Sequence, residues 1–307
     1  MRLIPCLLFA LLLAAPGAAA QPSTPADAER LRTQSLALVN AARTARGRAP
    51  LALADSLVEA AAAHARDMAA RGYYAHVSPD GATARDRFLA AGGAAGRVVR
   101  ENIARCTGCP LPPGPAAVED LHAGWMESPG HRANILAEGL SDYGFAIAWN
   151  DAGRRYAVET FAGPGTAPAQ PGAGPPQPLD PAAQTAHAVA RINALRGDAP
   201  PLSAAPALVA HAAAVLPAGD LAGVALDDLA PLSGLPADLP WRRYEVLFAR
   251  CGGCGTTATD ADVDHFLDRW RDGAGGTLTR AGLTAIGLAI AADGGGSKIA
   301  LAILAGD

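Results

Sequence analysis

The stretch that decides the fold is GLSDYGFAIAWNDAGRRYAVETFAG, residues 139–163. It contains two apolar runs, Tyr143–Trp149 and Tyr156–Phe161, on either side of the polar segment Asn150–Gly153. Asn, Asp and Gly tolerate the backbone conformations of tight turns, so this pattern predicts two antiparallel strands joined as a hairpin.

Three segments with helical patterns precede this hairpin. Glu29–Arg46 is amphipathic, and Ser56–Arg71 follows it with Asp55 as a candidate N-cap. Pro115–Glu127 spaces its large apolar side chains at helical intervals. Helices that bracket a late hairpin predict an α/β fold, in which helices cover a small sheet.

The same order of motifs occurs twice in the chain. GLSDYGFAIAW at 139–149 parallels GLTAIGLAIAA at 282–292, and ARCTGC at 104–109 parallels ARCGGC at 249–254. A bias toward alanine does not explain matched cysteine pairs, so the sequence predicts a tandem duplication. Residues 166–180 are rich in Pro and Gly and are predicted to be an extended linker between units at 27–165 and 181–307.

The first 20 residues predict export. Met1–Ala20 has one Arg, then an apolar run, then small residues that end in three alanines, which is the layout of a signal peptide. Its removal leaves four cysteines, Cys106, Cys109, Cys251 and Cys254, and an even count in an exported protein favours disulfides. We therefore expect a secreted or periplasmic protein without an integral membrane segment after cleavage.

Composition limits the classes of function. Of the 307 residues, 50% are hydrophobic and 18% charged, with a formal net charge of −4. A chain with this apolar fraction and this low net charge is predicted to fold rather than to be disordered. Its length predicts about two domains of ~150 residues each. With an acidic balance and Lys298 as its single lysine, we expect no binding to nucleic acid.

Polar clusters stand out from this apolar background at three places in the first unit. They read AHVSPDG at 75–81, ENIA at 101–104 and WMESPGHRANIL at 125–136. Together with LVNAAR at 38–43, AAAAHARDMAARG at 60–72 and the two closing strands, these motifs resemble the CAP superfamily in its short bacterial secreted form. The resemblance covers residues 36–163 and implies an α-β-α sandwich with a cleft that gathers two histidines and two acidic residues.

The resemblance assigns residues to this cleft. His76 and His131 match the two family histidines, and Glu101 matches the glutamate of the Gly-Glu-Asn motif, although Arg100 replaces the glycine. The fourth, acidic position falls on Ser128, with Glu127 one residue early. One residue turns a helical side chain by about 100°, so we expect a site of three members.

Two imidazoles suit a borderline divalent cation such as Zn²⁺. Glu101 is then either a third ligand or the acceptor that fixes the tautomer of one histidine. The alternative is a hydrogen-bonded cleft without metal that takes a small or lipidic ligand, or a cleft with a purely structural role. A metal-assisted hydrolase with Glu101 as base is the enzymatic alternative, and we place binding ahead of it.

The remaining candidates receive structural interpretations. His64 and His122 are predicted to pack or cap, and Arg132 and Asn134 to brace the loop around His131. Each Cys-x-x-Cys pair is predicted to form a small disulfide, with a shared zinc site and a redox site as alternatives. The second unit has glycine in place of His131 and is interpreted as a degenerate CAP-like domain that lacks the cleft histidines.

Overall fold

Two separate sheets, each covered by helices, make up the computed structural model, which describes residues 21–22, 25–168, 174–273 and 276–307. The predicted leader at 1–20 lies outside the described residues, as do residues 169–173 of the predicted linker. The mixed α/β class is confirmed.

Among the described residues, the first unit has five helices and five strands. They are β1 Gln21–Pro22, α1 Pro25–Thr44, β2 Ala52–Leu53, α2 Asp55–Arg71, α3 Ala84–Ala90, β3 Val98–Thr107, α4 Pro115–Glu127, α5 Pro129–Ile135, β4 Asp142–Trp149 and β5 Arg154–Gly163. Hydrogen bonds order the sheet as β1-β4-β5-β3, with β2 parallel to β4. Strand β3 therefore lies at an edge of the sheet.

The second unit repeats this arrangement. Its elements are α6 Pro181–Asn193, β6 Ser203–Ala204, α7 Pro206–Val215, β7 Arg243–Cys251, α8 Asp260–Gly273, β8 Leu283–Ala292 and β9 Lys298–Gly306, with short 3₁₀ turns at Leu226–Asp228 and Thr277–Thr279. The sheet order is β6-β8-β9-β7. This is the first sheet's order β2-β4-β5-β3 with each strand replaced by its sequence counterpart.

Individual contacts recur between the units as well. Asn40 donates to the carbonyl of Leu51 and accepts from its amide, and Asn193 does the same with Leu202. The indole of Trp125 donates to the carbonyl of Ile103, a residue of β3, as the indole of Trp270 does to that of Phe248 in β7. The two units thus share their strand order and these contacts, and their origin by tandem duplication stays a prediction.

Both faces of the first sheet are covered, which gives the α-β-α sandwich. On one face α1, α4 and α5 bury Leu31, Trp125, Ile135 and Phe161, and on the other α2 buries Met68 and its alanines against Tyr156 and Val158. Side chains of neighbouring residues on a strand point to opposite faces. In β3, Glu101 lies opposite Thr160 on the α2 face and Asn102 lies opposite Glu159 on the α4 face.

The hairpin prediction is confirmed, because β4 and β5 pair antiparallel around a turn at 150–153. Pro115–Glu127 has the predicted helical bounds. The prediction that Asp55 caps α2 is wrong: Asp55 is the first helical residue, and the capping position, Ala54, makes no side-chain cap hydrogen bond. Helices α3 and α5 and strand β3 are additions to the predicted elements.

Candidate functional site

Glu101 lies at the centre of the site, on the edge strand β3, with only 3% of its side chain exposed. Its Oε1 accepts a hydrogen bond from His76 Nδ1 at 2.8 Å, and its Oε2 accepts from Arg87 Nη2 at 2.9 Å. Both carboxylate oxygens are therefore engaged by groups that suit a negative charge.

Arg87 reaches Glu101 from the short helix α3. That helix begins with a capping box, in which Thr83 and Asp86 satisfy each other's backbone amides. Arg87 also donates to the carbonyls of His76 and Ala82. It thus ties the loop of His76 to β3, a role that the sequence did not reveal.

His76 presents its second ring nitrogen away from Glu101. Because Nδ1 donates to the carboxylate, the neutral ring leaves Nε2 as an acceptor, and the side chain is 55% exposed. The hydrogen bond to Glu101 raises the pKa of His76 above its ordinary value. Tyr74 and Val77, close to His76 in the sequence, are also exposed.

His131 approaches from the opposite side of β3, on α5. Asn102 Nδ2 donates to the carbonyl of His131 at 3.2 Å, and Asn134 Nδ2 donates to the carbonyl of Glu101 at 3.0 Å. Burial lowers the pKa of His131, and the charge of nearby His76 lowers it further. Both effects favour the neutral imidazole of His131.

The predicted bracing by Arg132 and Asn134 is confirmed, since Arg132 donates to the carbonyl of Met126 and Asn134 to that of Glu101. Glu127 is exposed at the end of α4, and Ser128 links α4 to α5. Among the described residues, no hydrogen bond or ion pair joins Glu127 or Ser128 to Glu101 or the two histidines. Their membership of the cleft stays a prediction.

A second polar network lies beneath the site, on the α4 face of the sheet. Glu159 is fully buried and accepts from Asn102 Nδ2 at 2.9 Å and from the Tyr143 hydroxyl at 2.8 Å, while that hydroxyl also bonds Ser35. Burial raises the pKa of Glu159 to about 7. Sequence reasoning missed Glu159, although an acidic residue within the apolar run of β5 was the available signal.

His64 supports the site from α2 and is fully buried. Its Nε2 bonds the carbonyl of Ala75 at 3.0 Å and lies 3.9 Å from Glu101 Oε1, and burial lowers the pKa of the imidazole. The Tyr73 hydroxyl contacts its Nδ1. The packing interpretation of His64 is confirmed, with the addition that it packs behind the carboxylate of the site.

Residues beside His76 support its loop. The Ser78 hydroxyl bonds Tyr73 and Arg87, and Asp80 accepts from the amide of Ala82. The cysteine pairs Cys106–Cys109 and Cys251–Cys254 both lie at disulfide distance, with Cα atoms 6.0 Å apart.

The arrangement of the side chains decides which of them could bind the expected metal ion. Across the residues that the structure describes, no group of three or more His, Cys, Asp or Glu side chains is arranged to hold a metal ion. Glu101 is poorly placed as a direct ligand, because its side chain is almost fully buried and each oxygen already accepts a hydrogen bond. It fits the alternative role, the acceptor that orients His76, and the two imidazoles remain as donors.

The second unit has apolar residues at the positions of this polar machinery. Val246 lies opposite Ile303 in β7 and β9, where the first unit has Glu101 opposite Thr160. In the next pair, Leu247 and Ala302 replace Asn102 and Glu159. Thus the same sheet forms without the charges of the site.

Part of this chain is similar to a known protein family. The model of the cysteine-rich secretory protein family, CAP, matches residues 36–161. Over this segment the chain is similar to CAP proteins, and we call residues 36–161 the CAP domain. The CAP domain holds His76, Glu101, His131 and the buried Glu159.

An uncharacterized protein of Bacillus subtilis (strain 168), YkwD, is 30% identical to this chain over 122 residues. The match covers 40% of this chain and 44% of YkwD, so the chain spans less than half of that relative's length.

Three solved structures resemble the chain at a TM-score of 0.36 each. An extracellular protein with an SCP domain from Bacillus anthracis str. Ames is 26% identical and is matched over 46% of this chain and 44% of its own. An outer surface protein of Borrelia burgdorferi is 16% identical, over 42% of this chain and 88% of its own. Na-ASP-1 is 8% identical, over 90% of both chains. Within the described ranges, no helix combines the length and apolar character that crossing a membrane requires.

Proposed function

We propose that the chain is an exported binding protein whose CAP-domain cleft holds a divalent cation, with Zn²⁺ the best candidate, through His76 and His131. The hydrogen bond from His76 Nδ1 to buried Glu101 is the observation that carries this proposal. A carboxylate in this position selects the tautomer whose free Nε2 can bind a metal, and it increases the basicity of that nitrogen.

The second unit supplies an internal comparison that supports a functional interpretation. Burying carboxylates and amides costs free energy even when they are hydrogen-bonded, and the second unit builds the same sheet with Val246, Leu247 and Ala302 instead. Stability of the fold therefore does not require the polar network of the first unit. A binding role for the cleft gives that network a reason to be present.

Binding is better supported than hydrolysis. A general base needs a free lone pair that points at the attacking water. Arg87 and His76 each bond one oxygen of Glu101, and the carboxylate is almost fully buried, so that water has little access to its remaining lone pairs. Glu101 is thus suited to hold His76 in place rather than to take up a proton from water.

A small or lipidic ligand is the second candidate for the same cleft. Tyr74 and Val77 are 41% and 49% exposed beside His76, and the guanidinium of Arg105 lies over the Tyr74 ring at 5.1 Å. Exposed apolar side chains in the same segment as a hydrogen-bonding imidazole suit a ligand that has one polar and one apolar end.

Calorimetric titration with Zn²⁺ tests the proposal. We expect binding by the wild type, and a loss of at least about tenfold in affinity in both His76→Ala and His131→Ala, because a two-imidazole site loses half its protein ligands in either variant. His187→Ala, on α6 of the second unit, is the matched control and keeps wild-type affinity. Unchanged affinity in both cleft variants would reject the assignment of these ligands.

The proposed compartment is outside the cytoplasm, secreted or periplasmic. The leader-like sequence at 1–20 and the two closely spaced cysteine pairs support it, because disulfides persist in oxidising compartments.

A further inference from the structure

One side of the disulfide loop of the second unit lies against the first unit, and Cys254 and Gly255 are buried there. Within it, the amide of Gly253 donates to the carbonyl of Gly96 at 2.8 Å and the amide of Gly255 donates to that of Pro164 at 2.9 Å. Gly165 and Cys254 form an antiparallel bridge between these contacts. Three positions of one loop are thus bonded to two segments of the other unit.

A second loop completes this contact. The turn between β8 and β9 places Ser297, which is 1% exposed, against Gly96, so that a methyl group on Gly96 would overlap the Ser297 hydroxyl. A methyl group on Gly296 would lie 2.6 Å from the carbonyl oxygen of Pro164. Glycine at these positions lets the two backbones approach closely.

The corresponding loops of the first unit provide the comparison. Gly108, in the Cys106–Cys109 loop, corresponds to Gly253, and Gly153, in the β4–β5 turn, corresponds to Gly296. At Gly108 and Gly153 an added methyl group would meet nothing within 4 Å. The same pair of loops is therefore open in the first unit and docked in the second.

We propose that the Cys251–Cys254 loop is a docking element that fixes the second unit onto the CAP domain and braces the loop between α3 and β3. The disulfide restrains the loop so that its successive amides point at fixed acceptors, which lowers the entropy lost on docking. Neither metal binding nor any other activity of the cleft is needed for this role.

The braced loop joins the two elements that hold the site together. It runs from α3, which carries Arg87, to β3, which carries Glu101, and the side chain of Arg85 holds it internally through the carbonyl of Arg97 at 2.8 Å. Docking at Gly96 thus acts on the segment whose two ends position the Arg87–Glu101 pair.

Gly165→Ala in the full chain is the first test. Gly165 has a φ of +75°, and its new methyl group would overlap the Gly253 carbonyl across the junction. Gly108→Ala is the matched control, since Gly108 has the same φ of +75° but open surroundings. We expect Gly165→Ala to speed hydrogen exchange at Gly253 and Gly255 by at least about tenfold and to increase the radius of gyration in X-ray scattering, with neither change in Gly108→Ala.

A second pair of variants addresses the disulfides. Cys251→Ser with Cys254→Ser is expected to raise the radius of gyration and to speed exchange in residues 92–98, whereas Cys106→Ser with Cys109→Ser leaves both at wild-type values. Wild-type scattering and exchange in both Gly165→Ala and the Cys251/Cys254 variant would overturn the proposal. An equal effect of the Cys106/Cys109 variant would also overturn it, because that loop makes no part of the junction.

Discussion

Glu159 is a carboxyl group enclosed within an apolar core. Its oxygens accept from Asn102 and Tyr143, and among the described residues no cationic side chain pairs with it. A buried carboxyl without a cation favours its protonated form, because desolvation penalises the charge. Glu159 therefore positions Asn102, which in turn bonds the backbone of His131. The contribution of Glu159 to the free energy of unfolding depends on pH.

The Glu159→Gln variant tests this pH-dependent contribution to stability. The pKa of Glu159 is about 7 in the fold against an ordinary 4.5, so the folded state binds the extra proton between these values and loses stability as pH rises through the window. The shift corresponds to about 3 kcal/mol. We expect the stability of Glu159→Gln relative to wild type to rise by up to this amount between pH 4.5 and pH 8 in urea unfolding. A constant difference across that range would show that Glu159 does not titrate in it.

His76 gives a second prediction that depends on pH. Its hydrogen bond to Glu101 raises the pKa of the imidazole above 6.5, so this bond stabilises the fold below the ordinary pKa and its contribution is lost as pH rises through the raised value. Protons therefore compete with a metal at His76 from a higher pH than at an ordinary histidine.

Glu101→Gln removes the charge but leaves an acceptor of similar size. We expect the pKa of His76 to fall in this variant, measured by NMR titration of the ring protons, and Zn²⁺ binding at pH 6 to be less inhibited by protons than in the wild type. His265, whose pKa is lowered by burial in α8 of the second unit, serves as an internal reference that is expected to keep its midpoint. An unaltered midpoint for His76 would mean that the hydrogen bond does not form in solution.

At the scale of elements, α2 packs on β4 through a glycine. A methyl group on Gly144 would overlap the backbone carbonyl of Leu57, and the equivalent Gly287 lies in the same way against Leu208 in α7. The close approach brings α2, with His64, down onto the sheet behind Glu101. This contact therefore sets the distance between α2 and the sheet behind Glu101.

Substitution of Gly144 by Ala is expected to destabilise the protein by about 1–3 kcal/mol, as overpacking of a close contact does. Gly124→Ala is the control, because Gly124 lies in α4 with nothing within 4 Å of the added methyl group, and it is expected to stabilise by ~0.4–1 kcal/mol. Chemical denaturation measures both. Equal effects of the two substitutions would contradict the packing described for α2.

The sequence predicted the elements with strong local signals and missed those without them. The β4–β5 hairpin and α4 carry clear turn and periodicity patterns. Strand β3 does not, because Glu101 and Asn102 are polar on both faces of the sheet, which removes the alternation that marks a strand. Helices α3 and α5, of 7 residues each, are too short to establish a helical period.

The residues of the site likewise fall into those that the sequence predicts and those that it does not. His76, Glu101 and His131 stand in motifs and were found from them, whereas Arg87 and Glu159 act through contacts 14 and 57 residues away along the chain. No local pattern encodes such contacts. They depend on how α3 and β5 are placed around β3.

At the scale of the whole molecule, the leader makes a direct prediction. If residues 1–20 are a signal peptide that is cleaved after Ala20, the exported chain begins at Gln21. Intact-mass measurement of protein recovered from outside the cytoplasm is expected to show the loss of Met1–Ala20. A mass that still includes these residues would favour an N-terminal anchor over a cleaved leader.

The edge of β3 has a consequence for association between molecules. Two of its carbonyls already accept from side chains: that of Glu101 from Asn134, and that of Ile103 from Tyr74 and Trp125. An exposed strand edge can recruit a strand from another chain and seed aggregates, and these side chains occupy the acceptors that such a strand needs. Asn134 thus holds α5 in place and also covers a backbone acceptor of the edge strand. Its replacement by alanine leaves the Glu101 carbonyl free to pair with a strand of another molecule.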